Sequence, residues 1–127
     1  MSDATRSGKP VALDETQQLI SSDKVEGTSV YGRDREKIGS IYTLMIDKVS
    51  GQVSYAVVSF GGFLGMGDDY YPLPWNSLEY DVALGGYVTS VTREQLDKAP
   101  HYRADERPWD RPDYGRGIYD YYGMPMI

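Results

Sequence analysis

Chemistry that needs a base, a nucleophile or a metal has few side chains to draw on in this sequence. It contains one histidine, His101, beside Pro100, and no cysteine. A catalytic imidazole needs a nucleophile on one nitrogen and an orienting group on the other. Nothing near His101 in the chain supplies that pair, so it reads as an exposed linker side chain. Metal sites draw on several His, Cys or clustered carboxylates. Asp68 and Asp69 are a pair rather than a cluster. Glu79 and Asp81 share one face of a predicted strand, where an opposite charge or solvent is the simpler account. The stretch Gly61 to Gly67 has the glycine content of a phosphate loop. Such a loop works by feeding a helix whose N-terminus holds the phosphate. Here Pro72 and Pro74 follow inside a strand-like run, so a connection needing positive φ is the better reading. No catalytic, cofactor-binding or metal-ligating residue is assigned, and no cofactor is expected.

Binding chemistry is better represented. The 127 residues include 12 tyrosines and two tryptophans, many of them near the C-terminus. Buried aromatics supply large contact area, and Tyr and Trp add a polar tip. Phe63, Leu64 and Met66 sit at the tip of the glycine-rich loop, either as core packing or as an apolar contact surface. Trp109 lies between Arg107-Pro108 and Arg111-Pro112, placed to stack on arginine or to seat in a groove. Tyr114, Ile118, Tyr121 and Tyr122 fall at helical spacing, with Tyr119 among them. A disordered tail does not normally carry this many aromatics. The candidate partner-binding residues are therefore Phe63, Leu64, Met66, Trp109, Tyr114, Tyr119, Tyr121 and Tyr122.

The elements that must position these residues are short strands. Ser29-Val30-Tyr31 is one. Lys37 to Lys48 and Gln52 to Phe60 flank Ser50-Gly51 and read as a β-hairpin. Tyr70 to Trp75 carries two prolines, which limits it to an edge or to positions that donate no ladder hydrogen bond. Leu78 to Val82 and Gly86 to Val91 form a second hairpin. Thr92-Arg93-Glu94-Gln95 has the form of a capping box, which predicts a short helix from about Arg93 to Lys98, stopped by Pro100. Strands at intervals of about ten residues are the spacing of a small barrel or sandwich. The hairpin 38 to 60 is apolar on both faces, and a barrel interior uses only one of them. Strict alternation puts Ile38, Leu44, Ile46, Val57, Trp75 and Leu78 in the core.

The formal net charge is −6. Duplex nucleic acid is bound chiefly through Lys and Arg, so no nucleic-acid partner is expected. No apolar run reaches the ~20 residues of a membrane helix, and Met1 to Glu15 has no signal-peptide core. No membrane insertion and a cytoplasmic location are the expectations. Residues 1–17 read as a flexible leader.

Several segments together resemble the PRC-barrel family. They are Ile20-Ser21, Val25-Glu26-Gly27, Lys37-Ile38-Gly39-Ser40-Ile41, the run from Gly51 to Gly67, and Tyr71-Pro72-Leu73-Pro74-Trp75-Asn76-Ser77-Leu78. The glycine-rich loop followed by the proline–tryptophan strand is the most specific part. The resemblance extends to short bacterial members, whose tails look like Ile118-Tyr119-Asp120-Tyr121-Tyr122-Gly123. It implies an all-β fold, a six-stranded antiparallel barrel, used as a non-enzymatic assembly or adaptor module. The expected organisation is a barrel over residues 18–100 and an aromatic Tyr/Pro-rich tail over 101–127. The tail docks on its own barrel or on a second subunit, and a homodimer is expected. The alternative is a small-ligand-binding barrel or an enzyme using the Gly61–Gly67 loop.

Overall fold

In the computed structural model, residues 19–60 and 69–126 are described. The leader and the Gly61–Gly67 loop, with Phe63, Leu64 and Met66, lie outside them. After a short helix α1 (Ser22–Val25) come β1 (Ser29–Tyr31), β2 (Lys37–Ile46), β3 (Val53–Ser59) and β4 (Tyr70–Pro74). A 3₁₀ turn (Trp75–Ser77) leads to β5 (Leu78–Asp81) and β6 (Gly86–Thr89). Helix α2 (Arg93–Asp97), a second 3₁₀ turn (Pro108–Asp110) and helix α3 (Tyr114–Tyr122) follow among the described residues.

The six strands form one curled sheet, a half-barrel, in the order β4-β3-β2-β1-β6-β5. Both predicted hairpins are present, β2 with β3 and β5 with β6. The all-antiparallel expectation is corrected at one seam: β1 and β6 run parallel, with Val30 opposite Tyr87 and Tyr31 opposite Val88. The reason lies in the connection after β4. The 3₁₀ turn carries the chain from one edge of the sheet to the other without a hairpin, so β4 and β5 run in the same sense. Strand β6 then returns alongside β1 in β1's own direction.

Local chemistry sets the turns. The Asp47 carboxylate accepts the amides of Val49 (2.9 Å) and Ser50 (2.8 Å), and Gly51 follows at φ +79°. Those two amides hold the Asp47 carboxyl below its ordinary pKa. The capping box at α2 is complete: Thr92 Oγ1 accepts the Gln95 amide at 3.1 Å, and Gln95 Oε1 accepts the Thr92 amide at 2.8 Å. Gly39 has a steric reason. A Cβ there would lie 2.5 Å from the carbonyl oxygen of Ser59.

The core centres on Val30, Ile41, Val57, Val58, Phe60, Leu73 and Leu96. Of the expected core residues, Val57 and Leu78 are buried, while Ile38, Leu44 and Trp75 are partly buried against the core. Ile46 is a correction: it is 48% exposed. The cause is irregular register. The pairing of β2 with β3 shifts between Ile41 and Thr43 and again between Met45 and Ile46. Each shift resets which face a side chain takes, so strict alternation fails along β2.

The one-helix expectation is also corrected. Helix α2 stands where the capping signal placed it, but α1 precedes the sheet and α3 is a nine-residue helix rather than a single turn. Two glycines in α3 conceal it from propensity, and tertiary packing supplies what propensity lacks.

Candidate docking surface

Strand β4 is an edge of the sheet, and an open edge invites pairing by other chains. Its outward groups are dealt with one by one. The amide of Tyr70 donates to the Tyr102 carbonyl at 2.8 Å, and the Tyr102 amide returns to the Tyr70 carbonyl at 2.9 Å. Tyr70 thus points its main chain away from β3, and alternation points Pro72 and Pro74 the same way. Proline has no N–H to leave unpaired there. Just past the strand, the Trp75 amide donates to the Tyr119 hydroxyl at 3.2 Å. That hydroxyl in turn donates to the carbonyl of Ser54, at the start of β3.

The segment after residue 100 therefore lies along β4. Helix α3 turns Tyr114, Ile118, Tyr119 and Tyr122 inward, all buried. The Tyr114 ring meets Tyr55 edge-on at 6.0 Å, and the Arg111 guanidinium lies 5.2 Å from the Tyr114 ring centroid. Tyr121 remains 40% exposed, and its hydroxyl donates to the Gln95 carbonyl of α2. Gly123 closes the helix at φ +66°, with the Met124 amide returning to the Tyr119 carbonyl. Trp109 is partly buried, edge-on to Tyr102 at 5.4 Å, with the Arg107 guanidinium 5.9 Å from its ring. Of the candidate residues, Trp109, Tyr114, Tyr119, Tyr121 and Tyr122 thus gather in one segment. Phe63, Leu64 and Met66 cannot be placed with them, since they fall outside the described residues.

A second aromatic group was not legible from alternation. Tyr42 and Tyr70 stack at 4.2 Å, and Tyr70 continues to Tyr102 at 5.6 Å. Tyr42 is 49% exposed. By strict alternation Tyr42 would share the face of Ile38 and Leu44. It is instead the unpaired residue where register shifts between Ile41 and Thr43. Only a sign of that bulge would have exposed it in the sequence.

Desolvation raises the phenol pKa of Tyr102 and of Tyr114 to about 12, and moves Tyr55 and Tyr122 up as well. Burial keeps these phenols in their neutral form, and those of Tyr114 and Tyr122 have no hydrogen-bond partner among the described residues. His101 is exposed but engaged. Its ring stacks on Tyr71 at 5.2 Å, Nε2 lies 3.3 Å from Asp69, and Nδ1 lies 3.0 Å from the Ala99 carbonyl. Asp81 lies 3.9 Å from Arg35, which accounts for that carboxylate by opposite charge. An open polar cleft of about 220 Å³ runs beside β5, lined by Arg33, Arg35, Glu79 and Asp81 among others. Among the described residues no cluster of His and carboxylates could hold a metal ion.

The sheet order, the glycine at Gly39 and the proline edge strand coincide with a family match. The model of the PRC-barrel domain matches residues 18–96. The chain belongs to the PRC-barrel family. It is also 26% identical over 80 residues to an uncharacterized protein of Deinococcus radiodurans. That alignment covers 63% of this chain and 28% of the relative, so the chain spans less than a third of that protein's length. The family match ends at residue 96, within α2; helix α3 and the strap from Tyr102 lie beyond it. Among the described residues no helix of this PRC-barrel chain is long and apolar enough to cross a membrane.

Proposed function

We propose that this PRC-barrel chain is a non-enzymatic interaction and assembly module that binds protein partners in the cytoplasm, as a homodimer. The observation that carries the reading is the double-sided burial of β3. Tyr55, Ala56, Val57 and Val58 are consecutive and all buried, so the sheet presents an apolar surface outside as well as inside. The aromatic helix α3 packs beside it, with Tyr114 against Tyr55, so the seat suits an aromatic segment of a protein partner. The net charge of −6 favours protein over nucleic-acid partners. The loop residues Phe63, Leu64 and Met66 join two elements of this surface, β3 and β4, and are assigned to partner contact.

The test uses the full chain as bait, beside a variant with Phe63→Ser, Leu64→Ser and Met66→Ser together. The expected result is a defined set of captured proteins that the variant loses while its circular dichroism stays unchanged. Light scattering should give a dimer mass for the parent. A monomer whose captured set is indifferent to the triple substitution would overturn the reading.

A further inference from the structure

Helix α3 has little reason to exist apart from its seat. At nine residues it is shorter than the ~12–15 an isolated helix needs in water. Gly115 and Gly117 lower its propensity further. Sterics demand neither. A Cβ on Gly117 would meet nothing within 4 Å, and one on Gly115 would make ordinary contacts of 3.6–3.9 Å with Met126, Ser54 and Tyr55. The seated helix also leaves the hydroxyls of Tyr114 and Tyr122 buried without a hydrogen-bond partner among the described residues. Unmatched hydroxyls weaken a docked state. The stretch 103–113 leading to the helix is exposed apart from Pro108 and Trp109. The helix is thus a weakly committed element on a well-formed seat.

We propose that this seat, made by β3, β4, Trp75 and α2, accepts the same helix from a second copy of the chain, so that two copies assemble by exchanging α3. The inference rests on the reading of the chain as an interaction module and names its partner. The chemistry of the occupant is already on view: Tyr114, Ile118, Tyr119 and Tyr122, at i, i+4, i+5 and i+8, with the Tyr119 hydroxyl bridging Ser54 and Trp75. A second copy carries that pattern without change. Contacts made within one chain and between two are then identical, which is what makes exchange of an element a low-cost route to a dimer. The balance is set by the local concentration of the tethered helix against that of a neighbour's. Fully extended, 103–113 spans at most about 40 Å, enough to reach an adjoining barrel.

The chain has no cysteine, so introduced thiols report one contact only. A Cβ on Gly115 would lie 3.8 Å from Ser54 Oγ, close to disulfide range. A full chain carrying Ser54→Cys is mixed with a differently tagged full chain carrying Gly115→Cys and oxidised. Exchange predicts a mixed disulfide whose yield rises with concentration. It should exceed that from a collision control pairing Gly115→Cys with Val49→Cys, at the 96% exposed turn position. A yield no higher than the control overturns exchange. If either variant folds poorly, a labelled peptide of residues 108–126 is titrated into the unmodified chain. Saturable binding, weakened by Tyr119→Phe in the peptide, is the expected result, and a flat titration overturns the proposal. Loss of capture in the loop-variant experiment above, together with no mixed disulfide, would keep the module and remove only the exchange.

Discussion

Tyr119 donates its hydroxyl to the carbonyl of Ser54, 65 residues earlier in the chain, and accepts the amide of Trp75 on the same oxygen. One phenol so ties the tail to the start of β3 and the end of β4. Tyr119→Phe keeps the buried ring and deletes the tie. Two main-chain groups in a half-buried setting then lose their partner, which costs about 1–3 kcal/mol. Denaturant unfolding should show a lower midpoint at unchanged slope. A loss under ~0.5 kcal/mol would mean that water replaces the phenol freely at this site.

Gly117 and Gly123 make opposite predictions in one helix. A side chain on Gly117 meets nothing, so Gly117→Ala should stabilise the chain by about 0.5–1 kcal/mol through helix propensity. Gly123 sits at φ +66° past the last turn. Gly123→Ala should cost about 1–2 kcal/mol, because a Cβ is strained in that conformation. Thermal unfolding of the two variants side by side checks the sign of each. Unchanged midpoints in both variants would show that α3 does not unfold with the barrel.

Much of the barrel could be read from the residues because its signals are local. Ser50-Gly51 and Leu84-Gly85-Gly86 mark hairpins wherever they occur, and Pro72 with Pro74 confines its strand to an edge. The parallel seam of β1 with β6 has no local signal, since it follows from where the turn Trp75–Ser77 sends the chain. The register of β2 is hidden for a related reason. A bulge at Tyr42 depends on what β3 offers opposite, and the sequence of β2 alone does not hold that information. In the tail, the spacing of Tyr114, Ile118 and Tyr122 showed an apolar face, while Gly115 and Gly117 concealed how far the helix runs. The stack of exposed Tyr42 on partly buried Tyr70 is hidden along with the bulge that creates it.

The capping box at α2 is the clearest local signal, and its contribution is separable. Thr92→Ala removes the acceptor for the Gln95 amide while leaving Leu96 buried. The expected loss is about 1 kcal/mol. Thr92→Asn, which can still accept, should recover most of it. Chemical denaturation of the three proteins measures this directly, and an unchanged midpoint for Thr92→Ala would show that α2 is held by Leu96 alone.

Alkali should unfold this protein through its tyrosines. Burial raises the phenols of Tyr102 and Tyr114 from 10.0 to about 12, and raises Tyr55 and Tyr122 too. Below pH 10 these phenols are neutral in both the folded and the unfolded chain, and their contribution to stability is whole. Above pH 10 the unfolded chain loses the protons while the folded chain keeps them. Stability must then fall as pH rises, over the window from 10 to about 12 for Tyr102 and Tyr114. Tyr114→Phe removes one such group without removing its ring from Tyr55. Its stability should decline with pH less steeply than that of the parent, by up to about 1.4 kcal/mol per pH unit. Phenolate absorbance followed alongside should lag behind that of free tyrosine until unfolding releases it. If the two proteins lose stability in parallel across this window, the Tyr114 hydroxyl is not the desolvated group its burial makes it.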